Sequence, residues 1–186
     1  ALYEYGKKRF LELGYEEIGM DHFALKTDSL YMAVEEKTLH RNFMGYSSGK
    51  TRLMIGLGMS SISDSWYSFS QNIKTVEEYE QLVHDGEIPV FRGHVLSYED
   101  LIIRKHILNI MCHFRTDWSD ESMQFPELKE GLKKLTEMVE DGLIEIHEDH
   151  LIVNEAGRPF IRNVCMAFDL HLIRKAPQTR VFSMTI

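Results

Sequence analysis

Apolar residues recur at near-helical spacing at the start of the chain, at Leu2, Tyr5, Phe10, Leu11 and Leu13, and the pattern stops at Gly14. A glycine there suits the left-handed residue that closes a helix, so the spacing predicts a helix that already contains Ala1 and ends at Gly14. Tyr15 to Phe23 follows as a predicted strand, with Ile18 and Met20 apolar. Helix, glycine, strand is the rhythm of an α/β repeat, in which the C-terminal ends of strands carry chemistry. Asp21 and His22 fall at that end, as functional groups or as a structural Asp-His pair. Lys26 to Lys37 is polar with a short apolar patch, which predicts a loop with one helical turn. Leu53 to Ile62 reads as a second strand of the same sheet, with Gly56 and Gly58 letting a ligand or a neighbouring backbone come close. Ser63 to Asn72, rich in aromatic side chains, reads as a loop.

Thr75-Val76-Glu77-Glu78 has the form of a capping box and predicts a helix through Tyr79, Leu82 and Val83 that stops near Asp85-Gly86. Ile88 to Leu96 can form a strand entered at Pro89. The pattern then changes. Ser97-Tyr98-Glu99-Asp100 opens a long amphipathic helix with Leu101, Ile102, Ile107, Leu108, Met111 and Phe114 as its apolar positions. From Pro126, a second stripe at Leu128, Leu132, Leu135 and Met138 predicts another helix, closed by Gly142. Leu143 to His147 and Leu151 to Asn154 make a hairpin around Glu148-Asp149-His150, and a last helix runs from Pro159 to Phe168. The expected division is therefore residues 1–96, an α/β piece, and residues 97–186, a mainly helical domain with a hairpin.

Composition narrows the function classes. With 44% hydrophobic residues the chain can bury a normal core. A formal charge of -8 argues against a general nucleic-acid binder, which needs basic contacts to phosphates. Two helices followed by a hairpin resemble a winged-helix module, yet residues 127–186 hold eight Lys and Arg against ten Asp and Glu, so the phosphate-binding footprint is missing. The two cysteines, Cys112 and Cys165, stand far apart, and neither a disulfide scaffold nor a metal knuckle is indicated. Cys112 falls on or beside the apolar helix face, as a small buried hydrophobe does. No apolar run approaches the roughly 20 residues that span a bilayer, and a cytoplasmic location is expected.

Local chemistry is sparse. Gly56-x-Gly58 lacks the third glycine of a dinucleotide fingerprint. His147 and His150 straddle a turn, but zinc needs three or four converging ligands. Arg158 and Arg162 stand four residues apart, placed to clamp carboxylates or to form surface ion pairs with Glu155 or Asp169. The densest stretch is Leu39-His40-Arg41-Asn42-Phe43-Met44-Gly45-Tyr46, which suits a surface that binds something flat or anionic.

Four blocks together carry a family resemblance: Gly14 to Ala24, Leu39 to Tyr46, Gly56 to Ser63, and Gly157-Arg158-Pro159-Phe160-Ile161-Arg162-Asn163-Val164-Cys165-Met166-Ala167-Phe168-Asp169. In order and spacing the chain resembles the C-terminal part of oxygen-independent coproporphyrinogen III oxidases, down to Phe182-Ser183. The resemblance implies the terminal strands and helices of a partial (β/α) barrel followed by a winged-helix-like domain. It implies a radical S-adenosylmethionine enzyme with a [4Fe-4S] cluster, which turns coproporphyrinogen III into protoporphyrinogen IX. The cluster ligands of such enzymes form a C-x-x-x-C-x-x-C motif near the barrel's start, which this stretch lacks, so the chain alone is expected to be a catalytically inert fragment. A severed barrel is also expected to self-associate through its exposed edge.

By the same resemblance Phe43, Met44 and Ile62 match positions lining a second S-adenosylmethionine pocket. The best-known members have glutamine where this chain has Met44, whose thioether cannot donate a hydrogen bond. A tetracarboxylate substrate requires cations, for which Arg41, Arg158 and Arg162 are the candidates on charge chemistry, with Asp21 and His22 beside them. Two other functions compete: a haem chaperone of the related radical-enzyme branch, and a winged-helix interaction module.

Overall fold

A computed structural model describes residues 2–175, so Ala1 and Phe182-Ser183 lie outside the described residues. Within that span the chain divides into two compact units, residues 2–16 with 24–101, and residues 17–23 with 102–175.

The first unit opens with α1 (Leu2–Glu12), closed by Gly14 at φ +84°. The expected strand from Tyr15 to Phe23 is instead two short strands, β1 (Tyr15–Gly19) and β2 (His22–Leu25), which pair with each other. Met20, at φ +49°, reverses the chain between them. Asp21 and His22 thus sit at a reversal and not at the end of a parallel strand. Residues Ser29–Glu35 form α2, longer than the single turn expected, because the Asp28 carboxylate accepts the Leu30 N–H at 2.8 Å and caps it. An antiparallel hairpin follows, β3 (His40–Asn42) with β4 (Gly45–Ser47).

The supposed strand Leu53 to Ile62 is also broken. Only Leu53–Met54 (β5) pairs, the glycine segment loops out, and β6 resumes at Ile62–Ser65. Ser63 to Asn72 is no aromatic loop: β6 and β7 (Ser68–Asn72) form a tight hairpin around Trp66-Tyr67. Its alternation was masked by serines, which occupy successive positions on one face. Helix α3 (Val76–His84) starts after Thr75 and ends before Gly86, but the expected capping box is not made, since the Thr75 hydroxyl donates to the Glu78 carboxylate at 3.3 Å and caps no backbone N–H; β8 (Val90–Val95) completes an antiparallel sheet in the order β5-β6-β7-β8. The three- and four-stranded sheets and the β3–β4 hairpin are antiparallel. The described residues are thus mixed helix and strand with no closed barrel.

The second unit is built on α4 (Tyr98–His113), whose first residues still belong to the first unit. The predicted cap is present: the Ser97 N–H donates to Asp100 Oδ2 at 2.9 Å and the Asp100 N–H to Ser97 Oγ at 3.2 Å. Strand β9 (Arg115–Asp117) leads to two short helices, α5 (Leu128–Lys133) and α6 (Thr136–Glu140), where the apolar stripe predicted one. The hairpin is as expected, β10 (Ile144–Ile146) and β11 (His150–Val153), and β9 joins it in the order β10-β11-β9. The last predicted helix is a 3-10 turn over Glu155–Phe160, then α7 (Ile161–Met166) and α8 (Leu170–Lys175).

The main core lies in this unit. Ile102, Ile110, Leu135, Ile144, Leu151, Val164 and Phe168 are all nearly inaccessible to water and pack as one cluster, which Met20 also joins. In the first unit, by contrast, α1, α3 and β8 contribute no buried residue.

Candidate functional site

The β3–β4 hairpin is shaped by local hydrogen bonding. Asn42 Oδ1 accepts the Met44 N–H at 2.9 Å, and Gly45 takes φ +128°, which leaves Phe43 and Met44 at the tip. Met44 is 84% exposed. Phe43 packs edge-on against Phe69 of β7, with ring centroids 5.1 Å apart. Behind the tip Arg41 and Tyr46 are directly paired, and the Arg41 guanidinium lies 4.6 Å from the centre of the Tyr46 ring. Nη1 of Arg41 is buried without a hydrogen-bond partner, which leaves a donor unused.

Strand register decides what lies beside Phe43. Phe69 is opposite Asp64, and Gln71 is opposite Ile62, so these four residues share one face of the four-stranded sheet. Arg92 and His94 of β8 extend the same face, opposite Gln71 and Phe69, and Arg92 Nε donates to Gln71 Oε1 at 3.0 Å. Phe43, through its contact with Phe69, thereby meets the face that holds Ile62, where these two apolar side chains of the sheet alternate with polar and charged ones. Met44 belongs to the same hairpin tip.

The glycine segment leading into Ile62 is a tight loop. A Cβ at Gly56 would stand 2.7 Å from the Ser61 Cβ and 2.8 Å from the Ile62 carbonyl oxygen, so the loop folds back on its own exit. Polar groups hold it: the Gly56 N–H donates to Ser63 Oγ at 3.0 Å, the Gly58 N–H to the Tyr79 hydroxyl at 3.0 Å, and Asn72 Nδ2 to the carbonyls of Gly56 and Gly58 at 3.1 and 3.0 Å. Neither Asn72 nor Tyr79 was singled out in the sequence. The contacts span 14 to 21 positions, and no local motif announces them.

The remaining candidates are in the second unit. Asp21 is exposed at its turn and His22 is half-buried. The Arg158 guanidinium lies 4.4 Å from the centre of the Phe114 ring, with Nε buried and unpartnered, while Arg162 is exposed. Among the described residues no ion pair joins either arginine to Glu155 or Asp169, and the Asp169 carboxylate accepts the Leu172 N–H instead. The His147 and His150 rings stack at 4.3 Å, each beside its own carboxylate, Glu145 and Asp149.

No family model matches the chain. Curated relatives do. The chain is 38% identical over 168 residues to the oxygen-independent coproporphyrinogen III oxidase of Escherichia coli strain K12, which covers 88% of this chain and 37% of that protein. It is 35% identical over 169 residues to the enzyme of the same name from Helicobacter pylori strain 26695, and 36% identical over 178 residues to that from Thermostichus vulcanus, of which it covers 55%. A solved structure described as coproporphyrinogen III oxidase (HemN) from Escherichia coli, a radical SAM enzyme, superposes with a TM-score of 0.84 at 35% identity, over 91% of this chain and 40% of that one. The chain thus spans between about a third and about half of the length of these relatives.

Proposed function

We propose, from the premise that the chain belongs to the oxygen-independent coproporphyrinogen III oxidase family over the region it spans, that it forms the C-terminal part of a radical S-adenosylmethionine oxidoreductase of haem biosynthesis. The whole protein would oxidatively decarboxylate two propionates of coproporphyrinogen III to vinyls, giving protoporphyrinogen IX. The observation that carries this reading is the agreement of one relative with nearly the whole chain in sequence and in backbone together. On this reading the first unit supplies strands and helices to the edge of a partial barrel. A winged-helix-like second unit is supported by its order of helix, strand, two helices and hairpin, with β11 between β10 and β9. Location in the cytoplasm follows from the same reading; among the described residues no helix is long and apolar enough to cross a membrane.

The chain's own residues suit two of the three groups involved. Phe43 and Ile62, with Phe69, offer the adenosyl part of S-adenosylmethionine an aromatic and apolar wall. Met44 adds a thioether, which cannot donate a hydrogen bond. Arg41 holds an unused guanidinium donor behind that wall, available to a propionate or to the cofactor's carboxylate. Arg158 and Arg162 are the corresponding cations of the second unit, with Asp21 and His22 in the same unit. S-adenosylmethionine, given one electron by the cluster, would supply methionine and the carbon radical that abstracts hydrogen from a propionate side chain. The third group, the [4Fe-4S] cluster, does not fit here: the chain has two cysteines, and Cys112 is enclosed in the core of α4, whereas such a cluster takes closely placed thiolates. Its ligands would belong to the part of the protein outside this chain.

The test is turnover of coproporphyrinogen III, without oxygen, by the full-length polypeptide that carries this chain. Formation of 5′-deoxyadenosine together with loss of carbon dioxide is expected. Stable haem binding with no turnover would instead establish a haem chaperone, and the finding that Arg41, Arg158 and Arg162 can each be replaced by Gln with unchanged substrate affinity would remove the arginine clamp.

A further inference from the structure

We propose that Asn72 is a positioning residue, which sets the conformation of the Gly56–Ser61 loop and thereby presents Ile62 to the ligand at the Phe43–Phe69 face. This rests on the reading of that face as an S-adenosylmethionine site. Asn72 is buried and touches the loop at three points: its side-chain Nδ2 donates to the carbonyls of Gly56, at the entry, and Gly58, at the apex, and its backbone N–H donates to the Ser61 carbonyl, at the exit, at 2.9 Å. The carboxamide NH₂ has two donors, which match two carbonyls. An Asp carboxylate has the same shape but only acceptors when ionised, and would confront both oxygens. The register shift between Gln71 and Asn72 sets Asn72 apart from the regular ladder, since Gln71 is opposite Arg92 while Asn72 is opposite Val90. Irregularities of this kind re-aim a side chain.

The loop needs such a clasp. Gly58 takes φ +93° and Ser60 takes φ +60°, and a non-glycine residue holds that conformation only where its surroundings over-determine it. Ser61 reinforces the turn from inside, its hydroxyl reaching the carbonyls of Leu57 and Gly58 at 2.6 Å each. Ile62 is the next residue, and its carbonyl oxygen is already in contact range of a Cβ built on Gly56. Any relaxation of the loop is therefore passed directly to the backbone of Ile62.

The experiment uses Asn72→Asp in the full-length polypeptide, with kinetics in S-adenosylmethionine and hydrogen exchange of the chain. Amide exchange is expected to accelerate in residues 56–61 and not in the second unit. The KM for S-adenosylmethionine should rise about tenfold or more while kcat at saturation changes by less than about threefold, the signature of lost binding geometry. Gly56→Ala, which displaces the same loop while keeping the Asn72 carboxamide, should raise the KM likewise and serves if Asn72→Asp does not fold. An unchanged KM in the folded variant, or a fall in kcat alone, overturns the positioning role. Wild-type protein that neither binds S-adenosylmethionine nor depends on it overturns the site reading, and this inference with it.

Discussion

At the scale of single residues, His106 shows what burial does to a titratable group that apolar periodicity overlooks. It lies on α4 with no accessible surface, between the rings of Phe125 and Phe168. Nε2 is 2.7 Å from the Met123 carbonyl oxygen, which only accepts, so Nε2 carries the proton and Nδ1 accepts from the Thr116 hydroxyl at 2.7 Å. Desolvation holds the His106 pKa below its usual value, outweighing the opposite pull of its bond to Met123 and of Asp117. A histidine with a lowered folded pKa binds protons more readily when unfolded. Its contribution to stability is complete above the unfolded value of about 6.5 and is lost as pH falls from there through the folded pKa. The melting temperature should decline over that window, and the part of the decline due to His106 should be absent in His106→Leu. Thr116→Val would leave Nδ1 unsatisfied in the core and should cost about 1–3 kcal/mol, measured as a lower urea midpoint with an unchanged slope. The sequence revealed the apolar positions Ile102 and Met111 of this helix, but the partners of His106 are 10 and 17 residues away.

At the scale of elements, glycines separate tight packing from open surface. A Cβ on Gly157 would run into the Leu143 carbonyl oxygen, and one on Gly131 into that of Ala167. Both sites join elements of the second unit's core, and replacing either glycine with Ala should destabilise by about 1–3 kcal/mol, seen by denaturant titration. Gly6, inside α1, has nothing near its missing Cβ, and Gly6→Ala should raise helix stability by about 0.5–1 kcal/mol, measured by circular dichroism on heating. Elements with strong end signals were legible in the sequence: α1 with Gly14, α4 with Ser97 and Asp100, and the β10–β11 hairpin after Gly142. The β6–β7 hairpin was not. Its Ser63, Ser65, Ser68 and Ser70 blur the contrast that marks a half-buried strand, and its pairing is set by the register of neighbouring strands. The single helix expected from Pro126 to Gly142 is split at Lys134-Leu135, where the Thr136 hydroxyl donates to the Lys133 carbonyl at 2.7 Å and gives the backbone a local alternative to the helix ladder.

At the scale of the whole molecule, the two units differ in how much apolar surface they leave in water. The first exposes Leu2, Leu57, Ile88 and Val95, all more than three-quarters accessible, along an open β8 edge and an α1 with nothing buried. Surfaces of this kind associate. The isolated chain should sediment with concentration-dependent mass, and a double replacement Ile88→Lys with Val95→Lys should reduce that dependence. What the sequence carried alone was its likeness to the oxygen-independent coproporphyrinogen III oxidases and the side-chain types at Arg41, Phe43, Met44 and Ile62, because residue types and their order survive without coordinates. It also determined the end of α1 at Gly14 and the start of α4 at Ser97, because those signals act within one turn of the chain. Only the tertiary structure decided that Phe43 packs on Phe69, a residue of the sheet face that holds Ile62, and that the glycine segment is a loop clasped by Asn72 and not a strand. Both depend on strand register and on hydrogen bonds between residues far apart in sequence, and a backbone donor or a carboxamide finds such partners only after the chain has folded.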